Sequence, residues 1–129
     1  MEIVEKFSNQ VPVRVLARVL GMSDAYYEPF FDFAHALVPI AINPFATPEG
    51  VAAAAEPMAR GFEVVQEFIA ERRRDPANDL MTDLIQAAEG GDSLTQDELV
   101  TLVAAMIVGG TETTIASLSL SVRRLLFEE

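Results

Sequence analysis

Cysteine is absent from this chain, and basic residues are scarce. Without cysteine the chain can form no disulfide and can offer no thiolate to a metal, and no metal site is predicted. Nine lysines and arginines against 20 acidic residues leave a formal net charge of −11. That charge argues against nucleic acid or an anionic membrane as a partner. The first residues do not have the pattern of a signal peptide, so a cytoplasmic location is expected.

A strict alternation of apolar and polar residues is also missing, so no β-strand is predicted. Apolar residues make up 50% of the composition, which is enough for a core. A length of 129 residues fits one domain over residues 1–129. Because the apolar side chains recur at helical spacing, we predict an all-α fold class, a helical bundle around one long central helix.

The central helix is predicted over residues 95–127. Thr95 and Glu98 have the spacing of a capping box, in which each side chain accepts a hydrogen bond from the other residue's backbone N–H. The apolar run at residues 99–108 has no polar face, so it is expected to be buried on most sides. At about 1.5 Å per residue the helix would be roughly 50 Å long, and the other helices must pack around it. Glu112 and a pair of glycines within it argue against a membrane span.

Shorter helices are predicted before the central one. Their expected ranges are residues 12–20, 24–38, 48–74 and 80–89, preceded by the end of another helix at residues 2–8. Caps or stops are assigned to Gly21, Ser23, Thr47, Pro76, Asp79, Gly90 and Gly91. Core positions are expected at Phe30, Phe33, Ala34, Leu37, Met58, Phe62, Val65, Ile69, Leu80, Met81, Leu84, Ile85, Ala88 and Met106.

Proline and arginine mark the ends of these helices. Three prolines at residues 39–48 predict a mobile loop, and Pro57 predicts a kink. The three arginines at residues 72–74 are interpreted as a solvated helix end whose charges complement the helix dipole.

The middle of the central helix contains residues that do not stabilise a helix. Gly109 and Gly110 each cost about 1 kcal/mol relative to alanine. Glu112 is the only charged residue between Glu98 and Arg123. The hydroxyl of Thr113 can bond to the carbonyl of Gly109 four residues back. One turn therefore offers bare backbone, a hydroxyl and an acid, which suits the close approach of a flat ligand.

The run Gly-Gly-Thr-Glu-Thr-Thr at residues 109–114 resembles the oxygen-binding motif of the cytochrome P450 haem-thiolate monooxygenases, Ala/Gly-Gly-x-Asp/Glu-Thr-Thr/Ser. Residues 94–99 resemble the start of that family's long central helix, and residues 11–21 resemble an earlier segment of it. The resemblance covers essentially the whole chain, with the spacing of soluble bacterial members. It implies the family's helices E to I, with residues 39–48 as the F–G loop over the substrate pocket.

The resemblance also implies a cofactor and roles for site residues. Haem b would bind against Gly109, Gly110 and Thr113. Thr113 would hydrogen-bond the bound oxygen, and Glu112 would supply protons through water. Ala105 and Val108 would face the substrate or the haem. The parent enzyme would hydroxylate or epoxidise a small organic substrate with electrons from a ferredoxin or flavodoxin.

The sequence departs from the family pattern in what it lacks. The cysteine that ligates iron is missing, as is the Glu-x-x-Arg helix that follows the central helix in the family. The chain is therefore interpreted as an internal fragment, a partial cytochrome P450 domain without the haem-cysteine loop. We expect such a fragment to be inactive alone.

Other interpretations remain open at this point. The chain could be a stand-alone helical domain that binds small apolar molecules without haem, or a module that dimerises through exposed apolar faces. Gly109 and Gly110 could serve close helix packing, and Glu112 could be a buried ion-pair partner. Thr113 and Thr114 could merely satisfy backbone carbonyls. His35, the only histidine, is expected to be a surface or packed residue rather than a haem ligand.

Overall fold

The described parts of the chain, residues 4–89 and 94–127 in a computed structural model, contain helices and no strand. The helices are a π-helical segment, Val4–Ser8, followed by α1 Gln10–Leu20, α2 Asp24–Ile42, α3 Pro48–Arg74, α4 Leu80–Glu89 and α5 Gln96–Phe127. This arrangement confirms the predicted all-α fold class. The expected stop at Gly90 and Gly91 and the inward side chain of Ala88 lie outside what the structure describes.

Helix α5 begins with the predicted capping box. The Glu98 N–H donates to the Thr95 hydroxyl at 3.2 Å, and the Thr95 N–H donates to the Glu98 carboxylate at 2.7 Å. Hydrogen bonds from the backbone and hydroxyl of Thr95 lower the pKa of Glu98. Of the described helices, α5 is the one long and apolar enough to cross a membrane by length and composition, a test that core helices of soluble proteins also pass.

The expectation that residues 99–108 are buried on most sides holds only in part. Leu99, Val100, Val103 and Ile107 form a buried stripe, and the residues beside it are half-buried: Leu102, Ala104, Met106 and Val108. Ala105, on the other side of the helix, is exposed. The reason is geometric: α5 contacts the π-helical segment, α1, α2 and α3, and these helices cover one side of it.

The core lies mainly between α2 and α3, which form the most extensive helix interface. Phe33 and Phe68 are fully buried there. A Cβ at Gly61 would overlap the Phe33 side chain, so glycine allows the two helices to approach closely. The expected core residues are buried at Phe30, Phe33, Ala34, Leu37, Val65, Ile69, Met81 and Ile85, and half-buried against the core at Met58, Phe62, Leu80, Leu84 and Met106.

The predicted loop at residues 39–48 is too long. Helix α2 continues through Pro39 to Ile42, so the loop is confined to residues 43–47. Packing overrides the proline signal, because Leu37 and Val38 are buried and hold the last turns of α2 against the core. The cap at Thr47 is confirmed: its hydroxyl accepts from the Gly50 N–H at 3.1 Å. The chain stays helical through Pro57.

The expectation of a wholly solvated arginine cluster is wrong for Arg72. Its guanidinium pairs with Asp79 at the start of α4 and donates to the Gly21 carbonyl at the end of α1, at 2.7 Å. Only 13% of the Arg72 side chain and 8% of the Asp79 side chain are exposed. Burial alone would raise the pKa of Asp79, but hydrogen bonds from Thr82 and Arg72 outweigh it and lower that pKa. Arg73 and Arg74 are exposed as expected.

Candidate functional site

The glycine pair of α5 forms an open surface. Gly109 and Gly110 are both exposed, and apart from the adjoining residues and the backbone of their own helix no described atom lies within 4 Å of a Cβ built at either position. Close packing against another described helix therefore does not explain the pair. The surface is bare backbone. A flat group can come closer to the backbone at a glycine than at any residue that carries a side chain.

Two threonine hydroxyls lie over this surface. Thr113 donates to the Gly109 carbonyl at 3.0 Å, as predicted, and Thr114 donates to the Gly110 carbonyl at 2.8 Å. These bonds satisfy the backbone carbonyls, and they also fix each hydroxyl. A hydroxyl that donates one bond still has lone pairs with which to accept another. Thr113 and Thr114 are both exposed, so those lone pairs are accessible.

Glu112 is exposed, and no ion pair of Glu112 occurs within residues 4–89 and 94–127. The alternative that it is a buried ion-pair partner is therefore wrong for the described chain. The cause is the one-sided packing of α5, whose buried stripe lies on the opposite side of the helix from Glu112. At about 100° per residue, Glu112 lies between the side that carries Thr113 and the side that carries Thr111.

The predicted site residues divide into two groups. Ala105, Gly109 and Thr113 follow one another at intervals of four, so they form a single exposed row along α5. Val108 lies beside this row and is half-buried against the core. Gly110 points elsewhere: with Thr114 it lines a groove of about 240 Å³ beside α1. That groove is apolar, and its α1 wall includes Val15 and Val19, which are 54% and 50% exposed.

A second cavity, of about 300 Å³, lies between α2 and α5. Asn9, His35, Thr111 and Glu112 contribute the polar part of its wall. Two buried polar atoms, Nε2 of His35 and Oγ1 of Thr111, have no hydrogen-bond partner among the described residues. Sequence reasoning missed this cavity, because no local pattern indicates that position 35 meets position 112.

His35 is held against its own helix. The Phe31 ring lies one turn before it, with the ring centroids 4.2 Å apart. Burial lowers the pKa of His35, and the charges of Asp32 and Glu112 offset part of that effect. Burial therefore favours the neutral form of the imidazole. It is half-buried, as expected for a packed residue.

The third cavity, of about 610 Å³, lies beneath the short loop between α2 and α3. Its wall is mostly apolar and includes Ile40, Ala53 and Pro57, with Asp32 and His35 at one side. Phe45, in the loop, is 86% exposed and also lines the cavity. A short loop that carries an exposed aromatic ring over an apolar cavity is consistent with the loop over a substrate pocket that the resemblance implies.

The open surface fits one side of a haem. The row formed by Ala105, Gly109 and Thr113 combines a small side chain, bare backbone and a fixed hydroxyl, as a flat apolar ring with a polar centre requires. No group of three or more potential metal-binding side chains occurs in the part of the chain that the structure describes. The chain also has no cysteine. These residues would therefore cover the ring and leave ligation of its iron to other groups.

Comparison with known proteins identifies the family. The sequence profile of the cytochrome P450 family matches residues 17–126. The chain is 33% identical over 113 residues to the mycinamicin IV hydroxylase/epoxidase of Micromonospora griseorubida, which covers 88% of this chain and 27% of that protein. It is 31% identical over 115 residues to cytochrome P450 107B1 of Saccharopolyspora erythraea, covering 89% of this chain and 26% of that protein.

The fold agrees with this match. The crystal structure of epothilone D-bound cytochrome P450epoK is similar over 99% of this chain and 32% of that one, with a TM-score of 0.82 and 29% identity. The chain belongs to the cytochrome P450 family, which confirms the resemblance drawn from its motifs. Family membership implies a haem cofactor. The chain spans less than a third of the length of these relatives.

Proposed function

We propose that this chain forms the oxygen-binding side of a haem-dependent monooxygenase that hydroxylates or epoxidises a small organic substrate. The observation that carries the proposal is the open row at Ala105, Gly109 and Thr113, with Glu112 beside it, at the position of the family's motif. The name of the relative from Micromonospora griseorubida, a hydroxylase/epoxidase, supports this class of reaction. Haem, when bound, would supply the activation of dioxygen.

Thr113 is proposed to hold a proton at its Oγ1. Because that hydroxyl donates to the Gly109 carbonyl, its proton points along the helix and its lone pairs face the open surface. A rotation of the hydroxyl about the Cβ–Oγ1 bond would turn the proton from the carbonyl towards a bound molecule. Gly109 is proposed to let the flat ring approach, and Ala105 and Val108 to contact the substrate or the ring.

Glu112 is proposed as the proton donor behind Thr113. Its carboxylate is exposed and has no ion pair among the described residues, so water can reach it. An acid and an alcohol in adjacent positions can pass a proton when one water connects them, and a positioned proton donor contributes about 10²–10⁴-fold to a rate. Neither role requires a further charged residue of the described chain.

Other features belong to the same proposal. Residues 1–129 would be one helical part of the cytochrome P450 domain, in a cytoplasmic protein that does not span a membrane. A ferredoxin or flavodoxin would supply the electrons. The cavity beneath the loop at residues 43–47, with Phe45 over it, would belong to the entrance for the substrate.

A chimera tests the proposal. This chain would replace the matched region of the mycinamicin IV hydroxylase/epoxidase, so that the rest of that protein supplies the remainder of the haem site. We expect haem incorporation and substrate oxidation. Changing Thr113→Val should lower product formation about 100-fold, because the proton at Oγ1 is lost.

Thr101→Val is the matched control for this test. Thr101 is an exposed threonine of α5 that makes the same kind of bond, to the Asp97 carbonyl at 2.7 Å. The control variant should therefore lose the same hydrogen bond and keep its activity. Equal activity of the two variants would show that the Thr113 hydroxyl serves only to bond the Gly109 carbonyl of its own helix. Binding of an apolar ligand without haem would instead favour the alternative of a stand-alone binding domain.

A further inference from the structure

His35 forms part of the wall of two separate cavities. One is the cavity of about 610 Å³ beneath the loop between α2 and α3, and the other is the cavity of about 300 Å³ that reaches Glu112 on α5. Pro39, one turn further along α2, is the other residue shared by both walls. The imidazole therefore lies between the loop and the acid of the motif.

The smaller cavity has the character of a hydrated site. Thr111 is 2% exposed, yet its hydroxyl has no hydrogen-bond partner among the described residues, and the same holds for Nε2 of His35. Buried polar atoms of this kind are normally satisfied by ordered water. A cavity of about 300 Å³ has room for several waters at about 30 Å³ each. Asn9 adds a further polar side chain to the wall.

Few charges face the imidazole. Asp32 lies three residues before it on α2, and Glu112 faces it from α5. The α3 residues that share its larger cavity, including Ala54 and Pro57, carry no charge. In the described chain, the smaller cavity holds no titratable residue besides His35 and Glu112. Among the described residues that line the smaller cavity, Glu112 is therefore the one carboxylate that can accept a proton from the imidazole.

We propose that His35 is a positioning residue that conducts protons from the cavity beneath the loop, through water beside Thr111, to the carboxylate of Glu112. A hydronium ion in the cavity beneath the loop gives a proton to one ring nitrogen, which leaves a water molecule and the imidazolium. A proton then leaves the ring for the water chain and reaches Glu112, so the ring returns to neutral and the carboxylate becomes a carboxylic acid. The net change is one proton moved from hydronium to the carboxylate. This inference rests on the proposed role of Glu112 as a proton donor.

The single histidine of the chain allows a direct test, because its ring signals in an NMR titration need no assignment. We expect Glu112→Gln to lower the midpoint of the His35 titration by about 0.3–0.5 pH unit, the effect of one unit charge about 6–10 Å away across water. Asp83→Asn, which removes an exposed acid on α4, is the control and should leave the midpoint unchanged. A midpoint that is the same in the wild type and in Glu112→Gln would overturn the proposal.

A second experiment measures product formation by the chimera as a function of pH. His35→Gln keeps a hydrogen-bonding side chain but cannot titrate. We expect product formation to fall about 10-fold and to lose the part of its pH dependence that lies below about pH 6.5, because burial lowers the pKa of His35 from that value and the path then lacks its titrating group. A wild-type pH profile in His35→Gln would refute the path.

The two proposals fail in different ways. If Thr113→Val retains full activity in the chimera, the proposed function fails, whatever the histidine titration shows. If Thr113→Val loses activity while Glu112→Gln does not shift the His35 midpoint, the function stands and the path through His35 is wrong.

Discussion

Replacing Gly109 or Gly110 by alanine is expected to stabilise the chain. Apart from the adjoining residues and the helix's own backbone, no described atom lies within 4 Å of a Cβ at either position, so the methyl group meets no other side chain or helix. Alanine is better than glycine in a helix interior by about 1 kcal/mol, because glycine loses more backbone freedom on folding. Each variant should therefore gain about 1 kcal/mol in unfolding free energy and about 3–5 °C in Tm for a chain of this size.

Gly61→Ala is the matched comparison and should have the opposite sign. It makes the same chemical change in an α-helix, but its methyl group would overlap the fully buried Phe33. Overpacking of this kind costs about 1–3 kcal/mol or more, which exceeds the gain in helix propensity. We expect a net loss of about 1–2 kcal/mol.

The assay is urea unfolding followed by circular dichroism at 222 nm, with the slope checked for each variant. Destabilisation by Gly109→Ala would mean that something packs on that surface, and the argument for an open site would fail. In the chimera Gly109→Ala should still bind haem, because the family's motif accepts alanine as well as glycine at this position.

Two further predictions concern charge. Arg72→Met should lower the free energy of unfolding by about 3 kcal/mol, because it leaves the Asp79 carboxylate buried without its partner. Arg74→Met, at an exposed position, should change it little. Equal effects of the two variants in urea unfolding would contradict the buried pair. The folded-state pKa of His35 is lowered from 6.5, so the unfolded chain binds more protons just below that pH. Stability should therefore fall as the pH drops through about 6.5, and His35→Gln should remove this step; a step that persists in the variant would assign it to other groups.

Local signals explain what the sequence could predict. The capping box at Thr95 and Glu98, the cap at Thr47 and the left-handed Gly21 each depend on residues within one turn, and all three occur as expected. The motif on α5 is likewise local, and so is the bond from Thr113 to the Gly109 carbonyl. These features could be recognised without knowledge of how the helices pack.

Long-range packing explains what the sequence could not predict. Helix α2 passes through Pro39 because buried side chains hold its end against the core. Arg72 is buried because the chain reverses and brings Asp79 to it. The cavity shared by His35 and Glu112 requires α2 and α5 to meet at one particular register. Each of these outcomes depends on residues far apart in the sequence.

The contacts of Arg72 bear on how the bundle unfolds. One guanidinium joins the end of α1, the last turn of α3 and the start of α4, and a Cβ at Gly21 would overlap the Asp79 carboxylate. No one of these three helix ends can separate without leaving a buried charge or carbonyl unpaired. They should therefore open together, as one cooperative unit with a common hydrogen-exchange rate, whereas the far half of α5, where Leu120, Leu125 and Leu126 are exposed, can fray independently.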